Sequence, residues 1–204
     1  MHNNIVVYQA KAEVLAVVKY YLFSAHNDID TTHFSDVIRS AYRAQLSLVM
    51  LNKTSGYVIS DEGFFDVLES LLPLFMADTD NSYTFLMSHN ADELSLQAID
   101  KASSRKPTSV TSIGDLLLDL ALDGDFDLVA LAKKDFARVP RELMQTASTF
   151  VSCGLNASLA AKKLYVHRNT FAYRLNRFID VTNLDIRDYH NAQYFAIATR
   201  LINR

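Results

Sequence analysis

A single cysteine, Cys153, stands in 204 residues. The chain can therefore form no intramolecular disulfide and no cysteine-based metal site, and a reducing cytoplasm suits it. Cys153 reads as a small, partly buried residue at a helix end. Glycine and proline are scarce, with 5 and 3 residues, and so few backbone breakers favour a helix-rich fold. No run of about 18 uncharged apolar residues occurs, so no transmembrane helix is expected. The apolar segment from Ala12 to Ala25 contains Glu13 and Lys19 and follows "MHNNI". Without a basic lead-in it does not read as a signal peptide. A basic excess is also missing. The net charge is −3, so any contact with nucleic acid must come from a local patch of Lys and Arg. Half of the residues are hydrophobic and 21% are charged, enough for a packed core. A cytoplasmic location is the expectation.

Along the chain, Val14, Leu15, Val18, Leu22 and Ala25 recur at three- and four-residue steps, which predicts a helix from about Gln9 to Ala25. A second helix is expected from about Phe34 to Leu51. "KTSGYVIS" reads as a turn and a short strand, Tyr57 to Ser60, and "DEGFFDVLESLLPLFM" as a helix that Pro73 kinks or ends. "DTDNS" reads as a turn, "YTFLMS" as an alternating strand, and "NADELSLQAIDKAS" as a helix capped by Asn90 or Asp92. "SSRKPTSVTS", Ser103 to Ser112, clusters Ser, Thr and Pro and reads as a linker. Beyond it two helices follow, one ended by Gly124 and one stopped before Pro140. The fold class expected is mainly α with a small β component: an α+β N-terminal domain over 1–104, a linker and connecting helices over 105–139, and an all-α domain over 140–204.

The last 65 or so residues are the most legible. "PRELMQTASTFVSCGL" begins with Pro140 at a first-turn position, lines one face with Leu143, Ala147 and Phe150, and stops at Gly154. Asn156 can cap the two-turn helix "ASLAAKKL", where Ala160 and Ala161 permit close approach of a neighbour. "YVH" makes a tight connection with Val166 as a buried plug, and a longer helix runs from about Arg168 to Asp180. Short helix, turn and longer helix make a helix-turn-helix.

The phase of the longer helix assigns its faces. Phe171, Leu175 and Phe178 fall at i, i+4 and i+7 and form the inner stripe, extended by Ile179. Asn169, Thr170, Tyr173, Asn176 and Arg177 then face outward, with His167 and Arg168 at the N-terminal end and Arg174 on the flank, where it could pair with an aspartate of a neighbouring helix. From Ala157 to Phe178 the charged residues are Lys162, Lys163, Arg168, Arg174 and Arg177, with no acid among them. That pattern suits duplex DNA. The first turn of a recognition helix enters the major groove, where Arg reads guanine and Asn reads adenine through paired hydrogen bonds. Thr170 and the helix amides suit phosphates, as do Lys162 and Lys163. An ordinary solvated face explains a basic amphipathic helix about as well.

The stretch "NASLAAKKLYVHRNTFAYRLNRFIDVTNLDIRDYHNAQYFAIATRLI" resembles the C-terminal helix-turn-helix domain of the PucR/CdaR family of bacterial transcriptional regulators. The matching residues are Ala160, Ala161, Leu164, Val166 to Phe171, Tyr173 to Leu175, Arg177, Leu184 and Asp185, within a span of about 143–202. It is similar to the Fis-type helix-turn-helix as well, which implies major-groove docking by the helix at about 168–180. Where the family usually has Gly after this helix the chain has Asn183, the next best residue for a left-handed cap. "FSDVIRSAYRAQLSLVML…GYVISDEGFFDVLESL" is similar to the end of the GGDEF-like middle domain of that family, without a GGDEF signature. The resemblance implies a sequence-specific DNA-binding regulator, its partners double-stranded DNA and a second copy in a homodimer, with a small-molecule effector unidentified. The terminal helix, with Tyr189, Tyr194, Phe195, Ile197 and Leu201, reads as core packing ahead of an association surface.

Other chemistry finds little support. "DTDNSYTF" opens like a calcium loop but has Tyr83 and His89 where Gly and Glu are needed. His26 and His33 near Asp28 and Asp30 lack ligand spacing on a known element. No phosphate-binding glycine loop, nucleophile elbow or HExxH occurs, so neither an enzyme nor a cofactor nor a metal is expected. The acidic total charge keeps a second reading open, a degenerate regulator that acts as a protein-interaction module without binding DNA.

Overall fold

The computed structural model describes residues 18–44, 46–61, 63–77 and 81–204. The chain divides into two units, Met1–Leu116 and Leu117–Arg204. The first is an α/β layer built on one sheet and the second is helical.

The first unit runs β1 (Lys19–Ala25), α1 (Thr31–Ala41), β2 (Ser47–Met50), β3 (Ser55–Ser60), α2 (Gly63–Ala77), β4 (Tyr83–Ser88), α3 (Glu93–Arg105) and β5 (Ser109–Ser112). The strand order is β2-β3-β1-β4-β5. β1 is antiparallel to both neighbours, and among the described strands only β4 and β5 are parallel. α1 and α2 supply Phe34, Ile38, Phe64, Leu68, Leu71 and Phe75 to a core with Tyr21, Phe23, Val58, Phe85 and Met87. Phe34 stacks on Phe75 at 4.9 Å between ring centres, and Phe23 meets Phe34 at 4.8 Å. Leu22 and Leu86, opposite each other in register, alternate to the other side of the sheet. There α3 contacts β1 and β4, with Leu94, Ala98, Ile99 and Ala102 buried.

Gly56 pairs with Phe23 across the β1–β3 ladder. A Cβ at Gly56 would stand 2.6 Å from the Phe23 ring and 2.2 Å from the Val49 carbonyl oxygen, so only glycine lets β2 and the Phe23 ring close on this point.

Several expectations are corrected here. The helix predicted to end at Ala25 is strand β1 over its described part, and Gln9 to Val17 lie outside the described residues. β1 is central and almost wholly buried. A strand covered on both sides loses its alternation, so its apolar spacing can imitate a helix. The second helix starts earlier, at Thr31, capped by the Asp30 carboxylate, which accepts from the amides of Thr32 and His33. It ends at Ala41, and Leu48 belongs to β2. Pairing of β2 with β3 overrides the helical propensity of that stretch. Pro73 lies inside α2, which continues to Ala77. The stretch read as a linker closes α3 and forms β5. The Thr84 hydroxyl donates to the Lys106 carbonyl, which ties this segment to the sheet. An edge strand of Ser and Thr looks like a loop because polar residues are what an exposed edge tolerates. The division between units accordingly falls at 116/117, beyond the expected boundary near 105. Asp92 is the cap of α3, accepting from the Ser95 amide at 3.1 Å. Part of the predicted "DTDNS" turn, 78–80, lies outside the described residues.

The division falls inside α4 (Ile113–Leu122). The helices that follow are α5 (Asp127–Phe136), α6 (Arg141–Ser152), α7 (Ala157–Lys163), α8 (Arg168–Thr182) and α9 (Tyr189–Ile202). Phe195 of α9 meets Phe178 of α8 and Phe136 of α5 edge-on, at 5.4 and 5.5 Å. Tyr194 is buried, with its hydroxyl donating to the Asp135 carboxylate. So the apolar side of α9 packs in the core through Tyr194, Phe195 and Ala198, while Tyr189 is exposed. Ile197 and Leu201 are half-buried. Among the described residues, no helix is long and apolar enough to cross a membrane.

Candidate nucleic-acid interface

α6 begins after Pro140, which sits at the cap position and not within the first turn. It ends in a turn with Gly154 at φ 63, where the Leu155 amide reaches back to the Phe150 carbonyl at 3.1 Å. Cys153 is half-buried at this end. The Asn156 side chain then accepts from the Leu159 amide at 2.9 Å and starts α7. Ala160 and Ala161 are buried where α7 meets its neighbours. Two small side chains let the helix backbones come close, and that packing stabilises a seven-residue helix that would not form alone.

The connection to α8 is a closed turn. The Tyr165 amide donates to the Lys162 carbonyl and the Val166 amide to the Ala161 carbonyl, both at 3.1 Å. Tyr165 has φ 55. Val166, expected as a buried plug, is only half-buried, in a turn whose neighbouring residues Tyr165 and His167 are exposed. His167 caps α8: its Nδ1 accepts from the Asn169 amide at 3.2 Å. In the neutral ring this leaves the proton on Nε2. Sequence reasoning placed His167 at the exposed N-terminal end without its capping role.

Phe171, Leu175 and Phe178 are buried and Ile179 is half-buried, which gives the inner stripe. Phe171 packs on Phe150 of α6 at 5.9 Å. His167, Arg168, Asn169, Thr170, Tyr173, Asn176 and Arg177 are all exposed, as are Lys162 and Lys163. Lys163 Nζ is 3.5 Å from the Ser152 hydroxyl. Arg174 differs from the rest. Its guanidinium lies 3.1 Å from Glu142 of α6, with 27% of the side chain exposed. The pairing anticipated with an aspartate is with a glutamate, in the first turn of α6.

Asp180 was not singled out from the sequence. It lies 3.5 Å from Arg177, one turn away on the exposed side. The acid-free stretch ends just before it, so the outward face is basic and polar from Arg168 to Arg177 and neutralised beyond. α8 then closes at Asn183, left-handed at φ 53, with its amide donating to the Ile179 carbonyl at 2.7 Å. The Thr182 hydroxyl accepts from the Leu184 amide and helps turn the chain inward to the buried Leu184 and Ile186.

A short helix and a longer one, joined by a hydrogen-bonded turn and braced by α6, define a helix-turn-helix domain. Residues 143–201 match the PucR C-terminal helix-turn-helix domain, and this part of the chain is a domain of that type. The uncharacterized protein YxkF of Bacillus subtilis (strain 168) is 26% identical over 196 residues, covering 86% of this chain and 64% of its own length. The uncharacterized protein Rv2242 of Mycobacterium tuberculosis is 32% identical over 88 residues, 41% of this chain and 21% of its own length. The chain thus spans less than two thirds of either relative. A crystal structure described as a regulator of polyketide synthase expression from Bifidobacterium adolescentis is similar with 22% identity and a TM-score of 0.44, over 91% of this chain and 80% of that one.

Proposed function

We propose that this chain is a cytoplasmic transcriptional regulator that binds duplex DNA sequence-specifically through α8 and carries out no catalysis. The carrying observation is the exposed row His167, Arg168, Asn169, Thr170, Tyr173 and Arg177, held outward by a buried Phe171–Leu175–Phe178 stripe. Arg168 and Asn169 stand in the first turn of α8, where side chains of a docked helix reach base edges. Lys162 and Lys163 supply charge to the flanking phosphates. Ten residues from Arg168 to Arg177 span about 15 Å of helix, enough to cross a major groove about 12 Å wide. Helix-turn-helix proteins act on paired half-sites as dimers, and the homodimer belongs to this proposal. So does the role of the first unit, which is to sense a signal, such as a small-molecule effector, or to mediate association.

Selection from a library of random duplexes, followed by salt titration of the enriched duplex, tests the reading. Enrichment of a defined site with affinity that falls steeply with salt is the expected result. No binding to any duplex at low salt would sink it and leave the protein-interaction module in its place.

A further inference from the structure

Tyr165 is the side chain of the helix-turn-helix that the recognition face does not explain. The residue is 96% exposed. Its backbone is left-handed, at φ 55, where a residue with a Cβ is strained and glycine is the usual occupant. Tyr165 follows Leu164, the cap of α7, so its left-handed backbone ends that helix, as Leu155 and Asn183 do at the ends of α6 and α8. Of the three, Asn183 is a residue type that tolerates this conformation. A tyrosine does not. The amides of Tyr165 and Val166 close the turn on Lys162 and Ala161, which accounts for the backbone conformation and makes no use of the ring. What the turn leaves unexplained is a large aromatic side chain held in solvent at a position that glycine usually fills.

Position adds the partner. Tyr165 stands three residues before the first residue of α8, so its Cα is within about 10 Å of that helix end. A helix whose N-terminal turn enters the major groove has a phosphate strand on either side, because the groove is only about 12 Å wide. Lys162 and Lys163 precede the tyrosine and His167 and Arg168 follow it, with no acid between. A phenol hydroxyl in that setting is a hydrogen-bond donor suited to a phosphate oxygen.

We infer that Tyr165 is a phosphate contact of this domain, its hydroxyl donating to the DNA backbone at the edge of the groove that receives α8. The inference rests on the DNA-binding reading above. The hydroxyl is neutral, so it adds affinity without releasing a counterion, and a phosphate carries no base identity.

The test uses the whole chain and two duplexes of equal length: one enriched by the wild-type chain from random sequence, and one of mixed sequence. Tyr165→Phe is expected to weaken binding to both by about tenfold, the scale of a hydrogen bond to a charged group, with an unchanged salt slope and melting temperature. Tyr165→Gly is expected to weaken binding at least as much while raising the melting temperature by about 3 °C, since the left-handed penalty is relieved. Weaker binding by a more stable protein is an outcome that a purely structural role cannot produce. If the Phe variant binds both duplexes as the wild type does, or loses only the selected one, the phosphate assignment is overturned while DNA binding stands. If the wild type binds neither duplex at low salt, the DNA-binding reading falls and this inference with it.

Discussion

The guanidinium of Arg174 lies 3.1 Å from the Glu142 carboxylate, on the side of α8 turned toward α6. This pair separates Arg174 from the other cations of the motif, all of which are exposed. Arg174→Ala is therefore expected to cost stability, about 0.5–1 kcal/mol for a pair that is partly exposed, and to leave the salt slope of DNA binding unchanged. Lys162→Ala should behave in the opposite way, with little effect on melting and a slope reduced by about one ion. Thermal melts and salt titrations of the two variants make the comparison. A slope reduced by one ion in Arg174→Ala would place that guanidinium on the DNA.

Arg168 and Asn169 are exposed in the first turn of α8. Each bidentate base contact discriminates by about 1–3 kcal/mol. Arg168→Ala and Asn169→Ala should lose about ten- to a hundredfold on the selected duplex and much less on mixed sequence. The readout is the ratio of the two dissociation constants. An Arg168→Ala protein with full affinity and full selectivity would refute the groove assignment.

Asp180 pairs with Arg177 at 3.5 Å, with both side chains more than half exposed. If α8 docks on DNA as proposed, Asp180 holds a cation that would otherwise face phosphate and sets a like charge against the duplex. Asp180→Asn is expected to raise affinity by about threefold at low salt, an effect that fades as salt screens it. Unchanged or weakened binding would mean that the C-terminal half of α8 stays clear of the duplex.

Tyr42 ends α1, and its hydroxyl donates to the Asp61 carboxylate. Burial first, and then Asp61, push the tyrosine up to about 12 from an ordinary 10.0. The folded state thus holds the proton more tightly than the unfolded chain. By linkage its contribution is complete below pH 10 and is lost as pH rises toward 12. Melting of the wild type should fall over that window, and Tyr42→Phe should flatten the fall while lowering stability at pH 8. A Phe variant that loses stability in alkali as steeply as the wild type would contradict this.

Much of the second unit was legible because its signals are local. Asn156 bonds to an amide three residues on, Asn183 adopts the left-handed turn its side chain tolerates, and Phe171, Leu175 and Phe178 repeat with the helix. Each of these acts within a turn or two of chain, so their spacing alone predicts α7, α8 and the face that α8 buries. The first unit was harder for the same reason in reverse. Lys19–Ala25 becomes a strand because β3 and β4 pair on its two sides, and those partners lie more than thirty residues away.

By itself, the sequence determined the helix-turn-helix, the inner and outer sides of α8, and the acid-free run before Asp180. These follow from caps, turn chemistry and a 3.6-residue period. Only the tertiary structure decided that Ser109–Ser112 completes a sheet, that Arg174 is turned to Glu142, and that Tyr165 stands exposed with a left-handed backbone in the turn before α8. Those outcomes depend on which distant groups meet, and no local spacing encodes that meeting.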